Sequence, residues 1–178
     1  MGASNAMIGA RFLSHLSLAE QEATLAAKET AYRGMVGALA PTAGASALLD
    51  LAEALGARCA VVTNAPRANA ELLLAALGLS QRLRTLIIGP EQARAKPDPE
   101  PYLAALRATG ADAAHSIAFE DSPSGLRAAV DAGLTVVGMT TALDESALKR
   151  AGATIAVADF TDPRIGALIR QKMAYTKA

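Results

Sequence analysis

The sequence predicts an α/β protein: a doubly wound parallel sheet with a small helical segment in front of it. Three observations lead there. From residue 45 onward, short continuous apolar runs alternate with amphipathic stretches of about three helical turns. The runs themselves ("CAVV", "TLII", "SIAF", "TVVGM") lack inside/outside alternation, as strands buried on both faces do. Polar residues gather where these runs stop, and open sheets of this kind hold ligands outside the carboxyl ends of their strands.

Taken in order, "SLAEQEATLAAKETAYRGM" from Ser17 reads as a helix, because Ser17 and Glu20 have the spacing of a capping box. No strand precedes it. "GALAPTAG", residues 37–44, breaks the helical pattern with proline and glycine and serves as a linker. The expected organisation is therefore a helical segment over residues 1–37 and an α/β core over 38–178. In the core, a helix over 45–56 leads to the strand "RCAVVTN", a helix over 67–78 and the strand "LRTLIIG". The helix 98–110, the strand "HSIAFED", the helix 123–133 and the strand "TVVGMTT" follow, then a helix over 144–153 and the short strand "TIAVADF".

The bulk composition bounds the function. At 178 residues and 52% hydrophobic residues, the chain buries a substantial core and fits one domain with a small appendage. Seventeen basic and seventeen acidic side chains cancel, which argues against nucleic acid or an anionic membrane as partner. No apolar run approaches a membrane span, and "MGASNAMIGAR" lacks the apolar core of a secretory signal. The one cysteine, Cys59, lies in an apolar run and reads as a structural thiol, which suits a reducing cytoplasm.

Three strand ends carry candidate chemistry. Thr63 and Asn64 follow "CAVV" and lead into a helix, so they either cap that helix or, with its free N–H groups, hold a phosphate or similar anion. Lys96 precedes Pro97, which keeps it extended near a helix start that Asp98 and Pro99 mark as N-cap and first position. There it either projects a point charge toward a phosphate or stays solvated. Glu120 and Asp121 end "SIAF". Adjacent carboxylates at a buried rim resist desolvation, and magnesium takes one or two such ligands with water and substrate oxygens. Neighbours on a strand face opposite ways, so both reach one ion only where the backbone turns, as it does at Ser122, Pro123 and Gly125. The other reading of the acidic pair is stabilisation of a helix start through its dipole. His15, His115, Thr140, Thr141 and Arg67 read as ordinary surface or strand-end residues.

Taken together, "VVTNAPRAN", "AKPDPEPY" and "AFEDSPSGLRAAVDAG" resemble the second, third and fourth motifs of the haloacid dehalogenase-like superfamily. The likeness is closest to its helical-cap branch of phosphoglycolate phosphatases and β-phosphoglucomutases. It covers about residues 40–141 and implies a Rossmann-like core with a partial helical cap. It also implies that Thr63 and Asn64 bind the phosphoryl group, Lys96 neutralises it, Glu120 and Asp121 hold Mg2+, and Ser122 assists at the loop. The expected function is thus a magnesium-dependent phosphatase or phosphomutase acting on a small phosphorylated metabolite of the sugar phosphate or phosphoglycolate type.

One motif departs from this pattern. The family opens with a central strand ending in D-x-D-G-[TS], whose first aspartate is the nucleophile; no D-x-D occurs here, and the first aspartate, Asp50, sits in a helical pattern. A phosphate cradle cannot replace an attacking carboxylate. The chain as written is therefore expected to be inactive, with a gap between the strands of Thr63 and Glu120. Either the natural protein continues upstream into that strand, or another segment or a second copy fills the gap, or the fold is a different doubly wound domain. A non-catalytic phosphometabolite-binding module, or a self-associating homo-oligomer, is the alternative reading.

Overall fold

The structure, a computed structural model, describes residues 2–174. Helix α1 (Asn5–Phe12) and helix α2 (Leu18–Met35) form the N-terminal segment. Ser17 caps α2 as expected, its hydroxyl accepting from the Glu20 amide at 3.4 Å while the Glu20 carboxylate accepts from the Ser17 amide at 2.9 Å. Helix α1 was not anticipated: with eight residues it is short, and its start is set by Ser4, whose hydroxyl accepts from the Met7 amide.

Helix α3 (Ala45–Ala54), strand β1 (Ala60–Thr63), helix α4 (Arg67–Ala76) and strand β2 (Thr85–Ile88) follow. Helix α5 (Glu100–Thr109) then leads to strand β3 (Ile117–Glu120), helix α6 (Pro123–Asp131) and strand β4 (Thr135–Met139). Helix α7 (Glu145–Arg150), strand β5 (Ile155–Val157) and helix α8 (Pro163–Ala174) are the last elements among the described residues. Among the described residues no helix is long and apolar enough to cross a membrane.

All strand pairings are parallel, but they form two sheets: β1 with β2, and β3–β4–β5. The three-stranded sheet is covered on both faces. Successive β4 residues Val136 and Val137 point to opposite sides and are 1% and 0% exposed. On one side Val136 packs with Leu126, Ala128, Ala129 and Leu148 from α6 and α7; on the other, Val137 meets Val157, Ile165 and the partly buried Leu48. Alanines bring helix and sheet close, and Gly138 completes the fit: a Cβ there would stand 3.0 Å from the Leu148 side chain.

The two-stranded sheet is looser. Every residue of β1 is only half-buried, and α5 packs across β1 and β2. Strands β1 and β3 exchange no backbone hydrogen bonds among the described residues. The helical segment rests on this half, α2 packing on α4. Asn69 of α4 is the contact: its amide donates to Glu29, and its carbonyl oxygen accepts from Arg33 at 3.0 Å.

Candidate functional site

Lys96 is the centre of the site, and it is not solvated: only 5% of it is exposed. Its backbone amide donates to the Asn64 side-chain oxygen at 3.1 Å, and its carbonyl accepts from the Asn64 amide nitrogen at 2.9 Å. This two-way clasp fixes the loop before α5 against the end of β1. Gly89 makes room for it, since a Cβ there would fall 2.2 Å from Asn64 Oδ1. The helix start is one residue later than expected: Pro99 precedes α5, and Asp98 accepts from the Glu100 amide at 2.9 Å instead of capping. The Lys96–Pro97 peptide is cis.

From that anchor the Lys96 ammonium spans the seam between the sheets. It donates to the carbonyl of Val62 on β1 at 3.0 Å and to Glu120 Oε1 on β3 at 2.6 Å. Glu120 is 7% exposed and takes a second short hydrogen bond, 2.5 Å, from the Tyr102 hydroxyl. Burial, and then the Glu120 charge, push the Tyr102 hydroxyl well above its ordinary pKa, so it stays protonated and donating. The Lys96 ammonium also lies 5.6 Å from the centre of the Tyr102 ring. A carboxylate this buried needs partners of this kind, because an unpaired buried charge is costly.

The start of α6 holds the other side of Glu120. Ser122 is the N-cap, accepting from the Gly125 amide at 3.1 Å, and its hydroxyl reaches Glu120 Oε2 at 3.4 Å. Gly125 is obligatory in this packing: a Cβ would sit 1.9 Å from Glu120 Oε2. Asp121 turns the other way. It is exposed, and Oδ2 accepts from the Thr141 hydroxyl at 3.2 Å. The adjacent carboxylates thus divide into an inward one tied to Lys96 and an outward one open to solvent.

Of the strand-end residues picked from the sequence, Asn64, Lys96, Glu120 and Ser122 join in one hydrogen-bonded network: Asn64 to Lys96, Lys96 to Glu120, Glu120 to Ser122. Thr63 stands at the tip of β1, its hydroxyl accepting from the Ala65 amide at 3.1 Å. Asp121 and Thr141 lie at the rim. Among the described residues no three acidic, histidine or cysteine side chains cluster as a metal site. Of the two carboxylates expected to hold magnesium, Asp121 is open to solvent, whereas Glu120 is 7% exposed and keeps Oε2 with a single long hydrogen bond to Ser122.

Arg67 pairs on the surface with Glu71 and Glu91, His115 lies 3.5 Å from Asp112, and Thr140 closes its strand end by donating to the Val157 carbonyl. Cys59 is half-buried, and burial raises its thiol pKa, which disfavours the thiolate. Sequence reasoning missed Tyr102. Its signal lay in the "EPY" that follows Lys96, a tyrosine in the first turn of a helix whose apolar face is core. It also missed Gly2 and Ser124: the Gly2 carbonyl accepts from Asn64 and from the Ser124 hydroxyl, each at 2.9 Å.

Comparison with known proteins follows the same lines. The chain is 40% identical over 121 residues to validoxylamine A 7'-phosphate phosphatase of Streptomyces hygroscopicus subsp. limoneus, covering 68% of this chain and 56% of that protein. It is 36% identical over 117 residues to phosphoglycolate phosphatase of Rhodospirillum rubrum, covering 66% and 48%. The chain thus spans about half the length of the curated relatives it matches. Among solved structures, CbbY from Rhodobacter sphaeroides in complex with phosphate superposes with a TM-score of 0.77 at 28% identity, covering 91% of this chain and 75% of that one. A family IA hydrolase from Entamoeba histolytica shares the fold, with a TM-score of 0.83 at 22% identity over 96% of this chain and 78% of that one. Residues 5–133 match the family described as haloacid dehalogenase-like hydrolase, and the chain belongs to it.

Proposed function

We propose that the chain carries the phosphate- and cation-binding part of a magnesium-dependent phosphatase or phosphomutase acting on a small phosphorylated metabolite. The observation that carries this reading is the buried Lys96–Glu120 pair, held at 2.6 Å where the two sheets meet. Structural stability alone does not call for it, since a buried ion pair is often no better than an apolar replacement. Phosphoryl transfer, by contrast, depends on fixed positive charge beside the phosphoryl oxygens.

Thr63 and the amides at the start of α4 hold phosphoryl oxygens in this reading, and Lys96 supplies the cationic charge. Asn64 fixes the lysine loop through its double clasp, while Tyr102 and Ser122 orient Glu120. Asp121 and Glu120 would hold magnesium, which supplies charge neutralisation at the phosphoryl oxygens. No residue of the chain stands in a D-x-D segment, so the residues present bind and orient without supplying an attacking carboxylate. The relatives named as phosphatases of validoxylamine A 7'-phosphate, phosphoglycolate and N-acetylmuramic acid 6-phosphate support a phosphate monoester of a small polar molecule as ligand. We place residues 1–37 as the partial cap and the protein in the cytoplasm.

Calorimetry with inorganic phosphate and magnesium chloride tests the proposal. It predicts saturable phosphate binding, strengthened by magnesium in the wild type and indifferent to magnesium in Asp121→Asn. With p-nitrophenyl phosphate the 178-residue chain should release no nitrophenol. Failure to bind phosphate at any magnesium concentration would refute the site. Magnesium-dependent nitrophenol release that Lys96→Met abolishes would refute only the inactivity of this chain. A non-catalytic phosphometabolite sensor is the second reading, favoured by the absent D-x-D segment; binding without turnover by an upstream-extended protein that does carry the aspartate pair would select it.

A further inference from the structure

Two donors meet on one carboxylate oxygen at the seam. Glu120 Oε1 accepts from the Lys96 ammonium at 2.6 Å and from the Tyr102 hydroxyl at 2.5 Å, while Oε2 has only the 3.4 Å contact with the Ser122 hydroxyl. The charge of this carboxylate is therefore shared between a cation and a neutral hydroxyl. The Tyr102 ring belongs to the core cluster with Ala118 and Leu126, where a phenylalanine ring would pack as well. Packing calls for the ring; it does not call for the hydroxyl.

An ammonium has three protons to donate. Lys96 gives one to the Val62 carbonyl at 3.0 Å and one to Glu120, and no third hydrogen bond of its ammonium is found among the described residues. In the phosphate reading the third proton is the donor to a phosphoryl oxygen. Charge limits it, because the carboxylate that neutralises Lys96 also repels an anion, and both effects are strong where the two side chains are each only 7% exposed. A hydroxyl that donates to Oε1 takes up part of the carboxylate's negative charge and loosens its hold on the ammonium. Without that hydroxyl, Oε1 would be left to Lys96 alone.

We propose that Tyr102 is a positioning residue of the anion site: its hydroxyl, by sharing Glu120 Oε1 with Lys96, leaves the ammonium available to a phosphate dianion. The inference rests on the phosphate reading above and adds a residue that acts on Lys96 through Glu120.

The test titrates inorganic phosphate, without magnesium, into the wild type, Tyr102→Phe, Glu120→Gln and the double variant. Tyr102→Phe should bind about fivefold more weakly than the wild type. Glu120→Gln and the double variant should bind equally, because the hydroxyl acts only through the carboxylate charge. Leu103→Ala, which trims a partly buried side chain beside Tyr102 in sequence, should lower the urea midpoint and leave phosphate affinity unchanged. Unweakened binding by Tyr102→Phe, the same loss on removing the hydroxyl from Glu120→Gln, or an equal loss in Leu103→Ala each overturns the positioning role. A measurement on the unaltered protein decides the matter whether or not the variants fold: the Tyr102 13Cζ resonance, which reports the hydrogen bond of its hydroxyl, should move along the phosphate saturation curve. A resonance that stays fixed while phosphate binds overturns the proposal and leaves the phosphate site standing. No phosphate binding to the wild type overturns the site and the proposal together.

Discussion

The two sheets of this molecule both pair their strands in parallel and have similar strand lengths, yet they differ in how they are buried. Strand β4 lies between two partners with Val136 and Val137 sealed on opposite faces, whereas β1 has one partner and no fully buried residue. The difference shows where rigidity comes from. Both edges of β4 are paired and both its faces are packed, while β1 has β2 as its strand partner and its Val62 carbonyl accepts from the Lys96 ammonium. The candidate site lies along the boundary, with Glu120, Ser122 and Asp121 on the tight half, Thr63 and Asn64 on the loose half, and Lys96 bonded to both.

If Lys96 joins the halves, its loss is the most damaging change. Lys96→Ala leaves Glu120 buried without its cation, a loss of about 3–5 kcal/mol in urea unfolding. The double variant Lys96→Met, Glu120→Leu should recover most of that stability while losing phosphate binding, separating the fold's need for the pair from the site's. A double variant as unstable as the single one would show that the pair is structural.

The comparison sharpens with one substitution made in both halves. Leu148→Ala removes a side chain that is 0% exposed against the three-stranded sheet and should cost about 2–5 kcal/mol. Leu86→Ala on the half-buried strand β2 should cost about half as much, because less apolar surface is lost from contact. Equal costs would erase the distinction between the sheets.

A smaller effect concerns Tyr102. Tyr102→Phe keeps the ring and removes one hydrogen bond to a charged acceptor, about 1.5–3 kcal/mol. The pH dependence identifies it. The hydroxyl's folded pKa is raised above its ordinary value of 10.0, so its stabilisation is fully present below about pH 10 and is lost as pH rises toward the folded value. The wild type should therefore lose its advantage over Tyr102→Phe in alkaline urea titrations. An advantage that persists unchanged well above pH 10 would contradict the assignment.

Much of this was legible in the residues. Alternating apolar runs and amphipathic stretches gave the β–α order, Ser17 with Glu20 marked a helix start, and Ser122–Pro123 marked another. The sequence also identified which strand ends carry polar chemistry, because a carboxylate pair or a lysine next to proline is conspicuous after an apolar run. It did not show which side chains would be buried. Lys96 and Glu120 are both hidden, and only three-dimensional proximity reveals that they neutralise each other. Asp121, one residue away, stays exposed because strand neighbours diverge. Helices α1 and α8 also escaped notice. The first is short and depends on Ser4, and "PRIGALIRQKMA" mixes charge into its apolar stripe enough to blur the pattern. Tyr102 drew no notice in the sequence, because its hydroxyl acquires meaning only opposite Glu120.

The central claim is that one anion site spans both halves. Amide NMR during a phosphate titration with magnesium tests it most directly. The account predicts that Thr63 and Ala65 on one side, and Ser122 and Ser124 on the other, shift together along a single saturation curve that Lys96→Met abolishes. Shifts confined to one side, or a response that survives Lys96→Met, would contradict it.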